Sequence, residues 1–452
     1  MFDKILVANR GEIAVTVIRA ARDMGIRTVA VCSEADREAL HAQMADECVC
    51  IGPASSRDSY LNMQAVLTAA SVTGAQAIHP GYGFLSENAS FARLCRKCGI
   101  TFISPPDTAM ERMGDKASAR RTAEEAGVPV VPGSAGVVAT LADAQREAER
   151  IGYPVMVKAS AGGGGRGMRI AEDASTLPAA FQTARAEALA GFGDDRVYLE
   201  RYLRDPHHIE IQLMADQYGN VVHYGERECS IQRRNQKLVE EAASPYAGRE
   251  LAGRMGEAAV RLAKTVGYVG AGTVEFLVDG LGEFYFMEMN TRIQVEHPVT
   301  EAVTRSNLVR EQILVASGAE LSVRQQDIRF DGHAIECRIL AESPEDGFRP
   351  HPGTITALHI PGGAGVRVDS AMYHGYTIPP HYDSMIAKVI VHAPDRPQAI
   401  QRMRRTLTEF LVEGIRTNID YQLAILRNPD FVAGNYNIGF VARHGATLLA
   451  QA

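Results

Sequence analysis

The sequence lacks the features that direct a protein to a membrane, to secretion or to nucleic acid. No apolar run approaches the roughly 20 residues that a membrane helix requires, and the first residues lack the charged-then-apolar pattern of a signal peptide. The formal net charge of -7 leaves no basic surplus for nucleic acid. The 7 cysteines are scattered, which favours reduced thiols over a disulfide framework. We therefore expect a cytoplasmic protein with neither a membrane nor a nucleic acid as partner.

The first 100 residues also lack a complete phosphate-binding fingerprint. Strand and helix patterns alternate between residues 4 and 103, which predicts a doubly wound parallel sheet. Its first β-to-α turn, Asn9-Arg10-Gly11-Glu12, has one glycine where a dinucleotide-binding turn needs three. A later junction at residues 79–83 lies where open sheets place ligand loops, but its Pro and Gly residues favour ordinary turn chemistry.

A glycine-rich loop, residues 162–167, follows a predicted strand that carries Lys158. The loop matches the spacing of a dinucleotide motif, but the next residues predict a strand instead of the required helix. It is not a P-loop, because Met168 and Arg169 stand where that motif has Lys and Ser or Thr. A glycine-rich loop between two strands is typical of a mobile flap whose backbone N–H groups close over phosphates.

The residues with the most chemistry lie between positions 274 and 300. Two apolar, β-branched runs flank Asp279-Gly280, which predicts a β-hairpin. Glu288 and Asn290 share one parity in the second strand and should point to the same face, with Glu275 opposite them on the partner strand. Two carboxylates and an amide oxygen in one place favour a Mg²⁺ site.

A second pocket is predicted directly after this hairpin. Arg292, Gln294 and Glu296 keep the alternation and offer an anion-binding fork, a neutral donor and a base. Each residue alone is explained equally well as an ordinary exposed polar group. Their concentration within one hairpin and its exit favours a small-anion pocket beside a metal-nucleotide site.

The character of the sequence changes near residue 114 and again after residue 321. Lys116 opens a charged helix after the first boundary. Strands at 332–339 and 353–359, Gly/Pro-rich turns and a final amphipathic helix at 397–412 predict a third, mixed α/β unit. The predicted domains are 1–114, 115–325 with a lid at about 131–203, and 326–452.

Taken together, these motifs resemble the biotin carboxylases, which are ATP-grasp enzymes, over nearly the whole chain. The segments that carry the resemblance are residues 8–14, 79–88, 158–168, 288–297 and 382–386. The resemblance implies an α/β protein with an N-terminal doubly wound domain, a central ATP-grasp domain with a mobile glycine-rich lid, and a C-terminal mixed α/β domain. It also implies ATP-dependent carboxylation of biotin by bicarbonate through carboxyphosphate.

The same resemblance assigns roles to individual residues. Those implied to bind ATP are Lys116, Lys158, Gly162, Gly163, Gly164, Gly165, Gly167, Met168, Glu200, Arg201, Leu203, His208, Gln232 and Asn235. Those implied to bind Mg²⁺ or Mn²⁺ are Glu275, Glu288 and Asn290. Those implied to bind bicarbonate are Lys237, Arg292, Gln294, Val295 and Glu296, with Glu296 as the base. We expect the adjacent Arg292 to keep Glu296 ionised. Tyr82 and Arg338 are implied to meet biotin, so the catalytic set is Glu296, Arg338, Arg292 and Lys237.

The partners are inferred from the same resemblance and from a missing motif. No Ala/Val-Met-Lys-Met biotinylation sequence occurs, so we expect biotin to arrive on a separate biotin carboxyl carrier protein. Carboxyltransferase subunits, a homodimer, and a place in acetyl-CoA carboxylase, and thus in malonyl-CoA and fatty acid biosynthesis, are also implied. Asn235 stands where the family often has His, and Arg201 where it has Lys, so a nucleotide contact at Asn235 is expected to differ.

Two other functions remain open at this point. Carbamoyl-phosphate synthases and the aminoimidazole-ribonucleotide carboxylating enzymes also form carboxyphosphate, and fold alone does not separate them from this chain. The single nucleotide unit and the segment 332–338 favour biotin. A non-catalytic scaffold of a carboxylase complex is expected to have lost site residues, whereas every predicted ligand is present.

Overall fold

The computed structural model describes residues 1–159 and 168–451, which form two compact units. Unit 1 comprises Met1–Val128, His207–Leu277 and Glu288–Ala452, and unit 2 comprises Pro129–Pro206 and Val278–Met287. The predicted flap, with Gly162, Gly163, Gly164, Gly165 and Gly167, lies outside the described residues. Within the described ranges, no helix has the length and apolar character needed to cross a bilayer.

Unit 1 begins with the predicted doubly wound sheet. Its elements are β1 (Lys4–Val7), α1 (Gly11–Asp23), β2 (Arg27–Cys32), α2 (Leu40–Met44), β3 (Glu47–Cys50), α3 (Met63–Thr73), β4 (Ala77–His79), α4 (Ala89–Lys97), β5 (Thr101–Phe102), α5 (Asp107–Gly114) and α6 (Lys116–Glu125). The strands are all parallel in the order β3-β2-β1-β4-β5. Ile5, Leu6 and Val7 are fully buried in the core of this sheet, as expected for a parallel sheet covered on both faces. The predicted α/β architecture of this region is confirmed.

Unit 2 contains a small antiparallel sheet. Its elements are α7 (Leu141–Ile151), β6 (Val155–Ala159), β7 (Met168–Ala171), α8 (Leu177–Phe192) and β8 (Val197–Arg201), with strand order β7-β6-β8. Lys158 of β6 is the register partner of Met168 in β7. The two strands on either side of the glycine-rich loop therefore pair with each other, as the sequence predicts.

The middle of the chain builds most of a long sheet. Its elements are β9 (His207–Ala215), β10 (Val221–Arg233), β11 (Gln236–Ala242), α9 (Arg249–Thr265), β12 (Gly270–Val278), β13 (Phe284–Asn290), α10 (His297–Thr304) and α11 (Leu308–Ala316). The eight-stranded sheet has the order β13-β12-β9-β10-β11-β14-β21-β19. β12 and β13 form the predicted hairpin, in which Asp279 N–H donates to Glu283 O at 2.9 Å.

The last third of the chain supplies the remaining strands of this sheet. Its elements are β14 (His333–Leu340), β15 (Glu342–Ser343), β16 (Arg349–Pro350), β17 (Gly353–Thr354), β18 (Ala357–His359), β19 (Val366–Ser370), β20 (Thr377–Ile378), β21 (Met385–Ala393), α12 (Arg396–Glu409), β22 (Leu411–Glu413), α13 (Ile419–Arg427), α14 (Pro429–Ala433) and α15 (Phe440–Gln451). β14, β21 and β19 extend the sheet begun by β9 to β13. All seven cysteines of the chain are free thiols, as predicted.

Two sequence-based predictions in this region are wrong. The single strand expected at 353–359 is two strands, because the chain leaves β20 after Thr354 and pairs with β22 from Ala357 onward. The helix expected at 397–412 ends at Glu409 and is not the final element, since residues 411–413 form β22 and three helices follow. Short segments whose pairing partners are distant in sequence carry little local signal, which is why the pattern misled here.

Candidate active site

A buried cluster of polar side chains surrounds Glu275 on β12. One carboxylate oxygen of Glu275 accepts from Gln294 Nε2 at 2.6 Å, Asn290 Nδ2 at 2.7 Å and Lys237 Nζ at 3.2 Å. The other oxygen lies 2.6 Å from His208 Nε2. Burial favours the neutral acid, but Lys237 and His208 outweigh it and hold the pKa of Glu275 well below its usual range. Glu275 is therefore a carboxylate in this structure.

The predicted metal ligands are only partly assembled around Glu275. Asn290 is buried against it, but the amide nitrogen faces Glu275 while the amide oxygen accepts from Arg292 Nη2 at 2.9 Å. Glu288 keeps part of its side chain exposed to solvent. Partial desolvation and repulsion from Glu275 nevertheless raise its pKa. Two mutually repelling carboxylates fit a hard divalent cation, and turning the Asn290 amide over would add its oxygen to that donor set.

Lys237 on β11 lies among three carboxylates. Its Nζ contacts Glu296 Oε1 at 2.6 Å, Glu210 Oε2 at 2.7 Å and Glu275 Oε1 at 3.2 Å. Burial disfavours the ammonium, yet Glu210 and Glu296 raise the pKa of Lys237 well above its ordinary value. His208, Glu210 and Glu275 also place one ligand atom each within 4.8 Å of one another. Within this group, Glu210 already pairs with both Lys237 and Arg227, so its charge is compensated without a metal ion.

Glu296, the predicted base, is buried between two cations. Its Oε1 accepts from Lys237 at 2.6 Å and its Oε2 accepts from Arg338 Nη2 at 2.9 Å. Burial raises the pKa of Glu296, but Lys237, Arg338 and Arg227 lower it well below its usual range. The sequence-based expectation that Arg292 keeps Glu296 ionised is wrong.

Arg292 instead turns toward a segment of the doubly wound domain. Its Nε donates to Glu87 Oε2 at 3.0 Å, and the backbone N–H of Thr291 donates to the other Glu87 oxygen at 3.0 Å. The second guanidinium nitrogen holds the Asn290 amide oxygen. Glu87 therefore fixes the strand exit that carries the predicted bicarbonate ligands.

Arg227 is a site residue that sequence reasoning missed. This wholly buried guanidinium donates to Glu210 at 2.5 Å, Gln212 at 2.7 Å and Gln294 at 2.9 Å. Its contact with Gln294 links β10 to the predicted bicarbonate pocket. The polar row on the neighbouring strand β9 could have indicated a buried cation. There His208, Glu210 and Gln212 share one parity within a fully buried strand, and such a row requires polar partners.

Tyr82 and Arg338, the predicted biotin contacts, each bind a buried carboxylate. Arg338 donates from Nε to Glu240 at 2.6 Å as well as to Glu296. The Tyr82 hydroxyl donates to Glu12, and burial together with Glu12 raises the pKa of Tyr82 well above its ordinary value. Glu12 and Glu240 were not predicted, although Glu12 lies within one of the motifs quoted above.

Of the predicted nucleotide residues in unit 1, Gln232 lies beside His208. Gln232 Nε2 lies 2.6 Å from His208 Nδ1 and donates to Cys229 O at 2.8 Å. Asn235 is exposed in the two-residue turn between β10 and β11, where Arg234 and Asn235 have φ values of 50° and 66°. Asparagine tolerates this left-handed conformation well. Lys116 is exposed at the start of α6.

The predicted nucleotide residues of unit 2 lie on and beside its sheet. Lys158 Nζ contacts Glu200 Oε2 at 2.6 Å, and Glu200 outweighs burial and raises the pKa of Lys158. The backbone N–H of Arg201 donates to Pro132 O at 2.7 Å, so this donor is already used within unit 2. Met168 begins β7, and Leu203 is half-buried just after β8.

Comparisons with known proteins show the family to which the chain is similar. Three family models match: "Biotin carboxylase, N-terminal domain" at residues 1–110, "Carbamoyl-phosphate synthase L chain, ATP binding domain" at 115–324, and "Biotin carboxylase C-terminal domain" at 336–443. The chain is 56% identical to Biotin carboxylase 1 of Bacillus subtilis (strain 168) over 442 residues, 98% of each protein. The two matched biotin carboxylase domain models on either side of the ATP-binding domain separate this chain from the carbamoyl-phosphate synthases.

Solved structures extend the similarity to three dimensions. The biotin carboxylase domain dimer of Hydrogenobacter thermophilus 2-oxoglutarate carboxylase, in complex with MgADP, ADP and bicarbonate, is 50% identical, matches over 99% of each chain and superimposes with a TM-score of 0.89. The biotin carboxylase component of a pyruvate carboxylase is 48% identical, also matches over 99% of each chain and has a TM-score of 0.91. The chain belongs to the biotin carboxylase family and is an ATP-dependent ligase of the ATP-grasp type, whose reaction is the ATP-dependent carboxylation of biotin.

Proposed function

We propose that the cluster around Glu275 and Glu296 is the place where bicarbonate is activated by ATP. The observation that carries this proposal is the position of Lys237, whose ammonium lies within 3.2 Å of Glu210, Glu275 and Glu296. A buried carboxylate held between Lys237 and Arg338 is a base beside two cations that can contact an anionic substrate.

Bicarbonate is proposed to bind Lys237, Arg292, Gln294 and the backbone of Val295. Glu296 takes the bicarbonate proton, an oxygen of the resulting carbonate attacks the γ-phosphorus, and the bond to the β-phosphate breaks. The products of this step are carboxyphosphate and ADP. The low pKa of Glu296 does not prevent the transfer, because the cations that lower it also lower the pKa of bicarbonate bound beside them.

The proposed metal ligands are Glu275, Glu288 and Asn290. Support comes from the raised pKa of Glu288, which is caused first by desolvation and then by repulsion from Glu275 that a cation would relieve. Bound Mg²⁺ or Mn²⁺ would neutralise charge on the phosphates during transfer.

The nucleotide is proposed to bind the residues that the family resemblance implies. The proposed contacts are Lys116, Lys158, Gly162, Gly163, Gly164, Gly165, Gly167, Met168, Glu200, Arg201, Leu203, His208, Gln232 and Asn235. Support comes from two side-chain contacts between members of this set, Lys158 with Glu200 and His208 with Gln232. Since the Arg201 N–H is used within unit 2, the Arg201 backbone would contribute its carbonyl to adenine.

Biotin is proposed to bind beside Tyr82 and Arg338. Carboxyphosphate breaks down to CO₂ and phosphate, the phosphate removes the ureido proton, and the ureido nitrogen attacks CO₂. Arg338 stabilises the enolate-like oxygen that develops in this step. Because Arg338 also contacts Glu296, its positive charge lies next to the proposed bicarbonate site.

The proposed assembly follows the family. We propose that biotin is presented by a separate biotin carboxyl carrier protein, that carboxyltransferase subunits complete the complex, and that this chain forms a cytoplasmic homodimer. The solved pyruvate carboxylase relative is named as the biotin carboxylase subunit of that enzyme, which supports a separate carrier, and the Hydrogenobacter relative is a dimer, which supports the homodimer. Acetyl-CoA is the proposed acceptor, which would place the chain in malonyl-CoA and fatty acid biosynthesis. Pyruvate and 2-oxoglutarate, for which these two relatives are named, are the competing acceptors to compare with it.

The test is ADP release by the purified chain with Mg²⁺, ATP and bicarbonate, in the presence and absence of free biotin. We expect biotin to stimulate release, and Glu296→Gln, which keeps the shape but removes the base, to abolish the stimulation. Glu311→Gln is the matched control, because Glu311 is also buried but accepts its hydrogen bonds from Ser322, which is not a residue of the proposed site. Release that responds to ammonia or an aminoimidazole nucleotide instead of biotin would contradict the proposal, as would the same loss in both variants.

A further inference from the structure

Lys388 on β21 is a wholly buried ammonium to which the family resemblance assigns no role. Its Nζ donates to the backbone carbonyl of Val295 at 2.9 Å and lies 3.2 Å from Glu12 Oε2. Asp369 Oδ2 on the neighbouring strand is 3.9 Å away. The ammonium thus joins a side chain of α1, a side chain of β19 and the main chain of the bicarbonate-binding segment.

The surroundings of Lys388 connect the proposed ligand sites. Glu12 also accepts from the Tyr82 hydroxyl, so one carboxylate joins Lys388 to a proposed biotin residue. Arg338, the other proposed biotin residue, is the register partner of Lys388 on β14. Lys388 therefore lies where Tyr82, Arg338 and the Val295 backbone approach one another.

A buried ammonium is costly unless its partners hold it in one geometry. Burial disfavours the charged form, but Glu12, Glu336 and Asp369 outweigh it and raise the pKa of Lys388, so the side chain is a cation at neutral pH. One of its donors is directed at a main-chain carbonyl instead of a carboxylate. A role limited to balancing Glu12 and Asp369 would not require that contact.

We propose that Lys388 is a positioning residue that fixes the Val295 carbonyl and thereby orients the backbone and carboxylate of Glu296 toward bicarbonate. The inference rests on the proposed function, in that it takes residues 292–296 as the bicarbonate site. The peptide joining Val295 to Glu296 is planar, so holding its oxygen fixes the rotation on both sides of that peptide. A displacement of about 1 Å at such a base can lower the rate about 100-fold.

The test replaces Lys388 by methionine, which keeps the length of the side chain but removes the donor. Bicarbonate binding is measured by titration calorimetry in the presence of MgADP, and we expect the Kd to rise at least about tenfold. The Kd for MgADP itself should stay within about twofold, because Lys388 contacts none of the proposed nucleotide residues.

Two further variants separate positioning from a general loss of stability. Glu12→Gln combined with Lys388→Met removes both members of the ion pair, so it relieves the uncompensated carboxylate but does not restore the donor to Val295. We expect this double variant to regain thermal stability and to keep the weak bicarbonate binding. Arg367→Met is the matched control, because Arg367 also pairs with Asp369, and with Glu301, but does not contact residues 292–296.

The outcomes are distinct. Weak bicarbonate binding in both Lys388 variants, with normal binding in Arg367→Met, supports the proposal. Bicarbonate affinity within about twofold of wild type in Lys388→Met, or restored in the double variant, would overturn it. A wild-type chain that binds bicarbonate but does not respond to biotin would contradict the proposed function, and the comparison of bicarbonate affinities would still decide the role of Lys388.

Discussion

Replacing Glu240 by glutamine tests whether the site stores a proton near neutral pH. Glu240 is fully buried on β11, where one oxygen accepts from Arg338 Nε at 2.6 Å and the other has no partner among the described residues. Burial raises the pKa of Glu240 to about 7, since the opposing effect of Arg338 is offset by repulsion from Glu296. Glutamine preserves the shape and cannot ionise.

The sign of the effect follows from linkage between protonation and folding. An acid with a raised pKa binds its proton more tightly in the folded state, so stability is lost as pH rises from the unfolded value toward the folded one. For Glu240 this window extends from 4.5 to about 7. A shift of this size corresponds to a loss of about 3 kcal/mol in the free energy of unfolding across the window. Glu240→Gln should therefore gain stability relative to wild type as pH rises.

The neighbouring residue gives a control of opposite sign. Glu241 is also fully buried, but hydrogen bonds from His333, at 2.7 Å, and Arg396 outweigh burial and lower its pKa to about 2. Its stabilising effect is present above its unfolded pKa and is lost only as pH falls from about 4.5 to 2. Glu241→Gln should therefore be destabilising by about the same amount at every pH between about 5 and 8.

The assay is urea unfolding of each full chain, followed by circular dichroism at several pH values. The difference in unfolding free energy between Glu240→Gln and wild type should grow by up to about 3 kcal/mol between about pH 4.5 and 7 and stay constant above it. A difference that does not change with pH would mean that Arg338 keeps Glu240 ionised throughout. That result would refute the reasoning.

Three further predictions concern the site itself. Lys237→Met removes a charge-assisted hydrogen bond of about 1.5–3 kcal/mol from Glu296, so the acid limb of the pH profile of kcat/KM for ADP release should move up by about 1–2 pH units. Glu288→Gln should raise the Mg²⁺ concentration for half-maximal activity at least about tenfold, and an unchanged Mg²⁺ titration would contradict its role as ligand. Arg227→Met strands the buried Glu210 carboxylate and should lower the free energy of unfolding by about 3–5 kcal/mol, measured by urea unfolding; a loss below about 1 kcal/mol would show that Lys237 alone compensates Glu210.

The sequence predicted the hairpin and the facing of Asn290 toward Glu275 because both depend on local pattern. Alternation placed Glu288 and Asn290 on one face, and the Asp279-Gly280 turn identified the connection between β12 and β13. Parity along a strand is a property of the backbone, so it holds whatever the strand packs against. Asn290 accordingly meets Glu275 in the structure.

The electrostatic partners could not be predicted in this way. Glu296 is held by Lys237 and Arg338, which are separated from it by 59 and 42 positions in sequence. Arg292, four residues away, points to Glu87 instead. Proximity in sequence favoured Arg292, whereas strand pairing between distant segments decided which cations reach Glu296. Sequence pattern gives the facing of a side chain but not the register of the strand opposite it.

The two faces of the long sheet differ in composition: one carries apolar core residues and the other carries the charged residues of the site. On β14 and β21, residues of one parity, such as Ile335, Cys337 and Val389, join the main hydrophobic cluster, against which α12 and α13 pack. The other parity carries Arg338 and Lys388, which face the side covered by α1 and α10. Burying charges there contributes little net stability, because desolvation offsets most of the gain from ion pairing. The apolar face supplies the stability that permits a buried, water-poor layer of charges. Within that layer Lys237 and Arg338 stabilise the Glu296 carboxylate far more strongly than they would at an exposed surface.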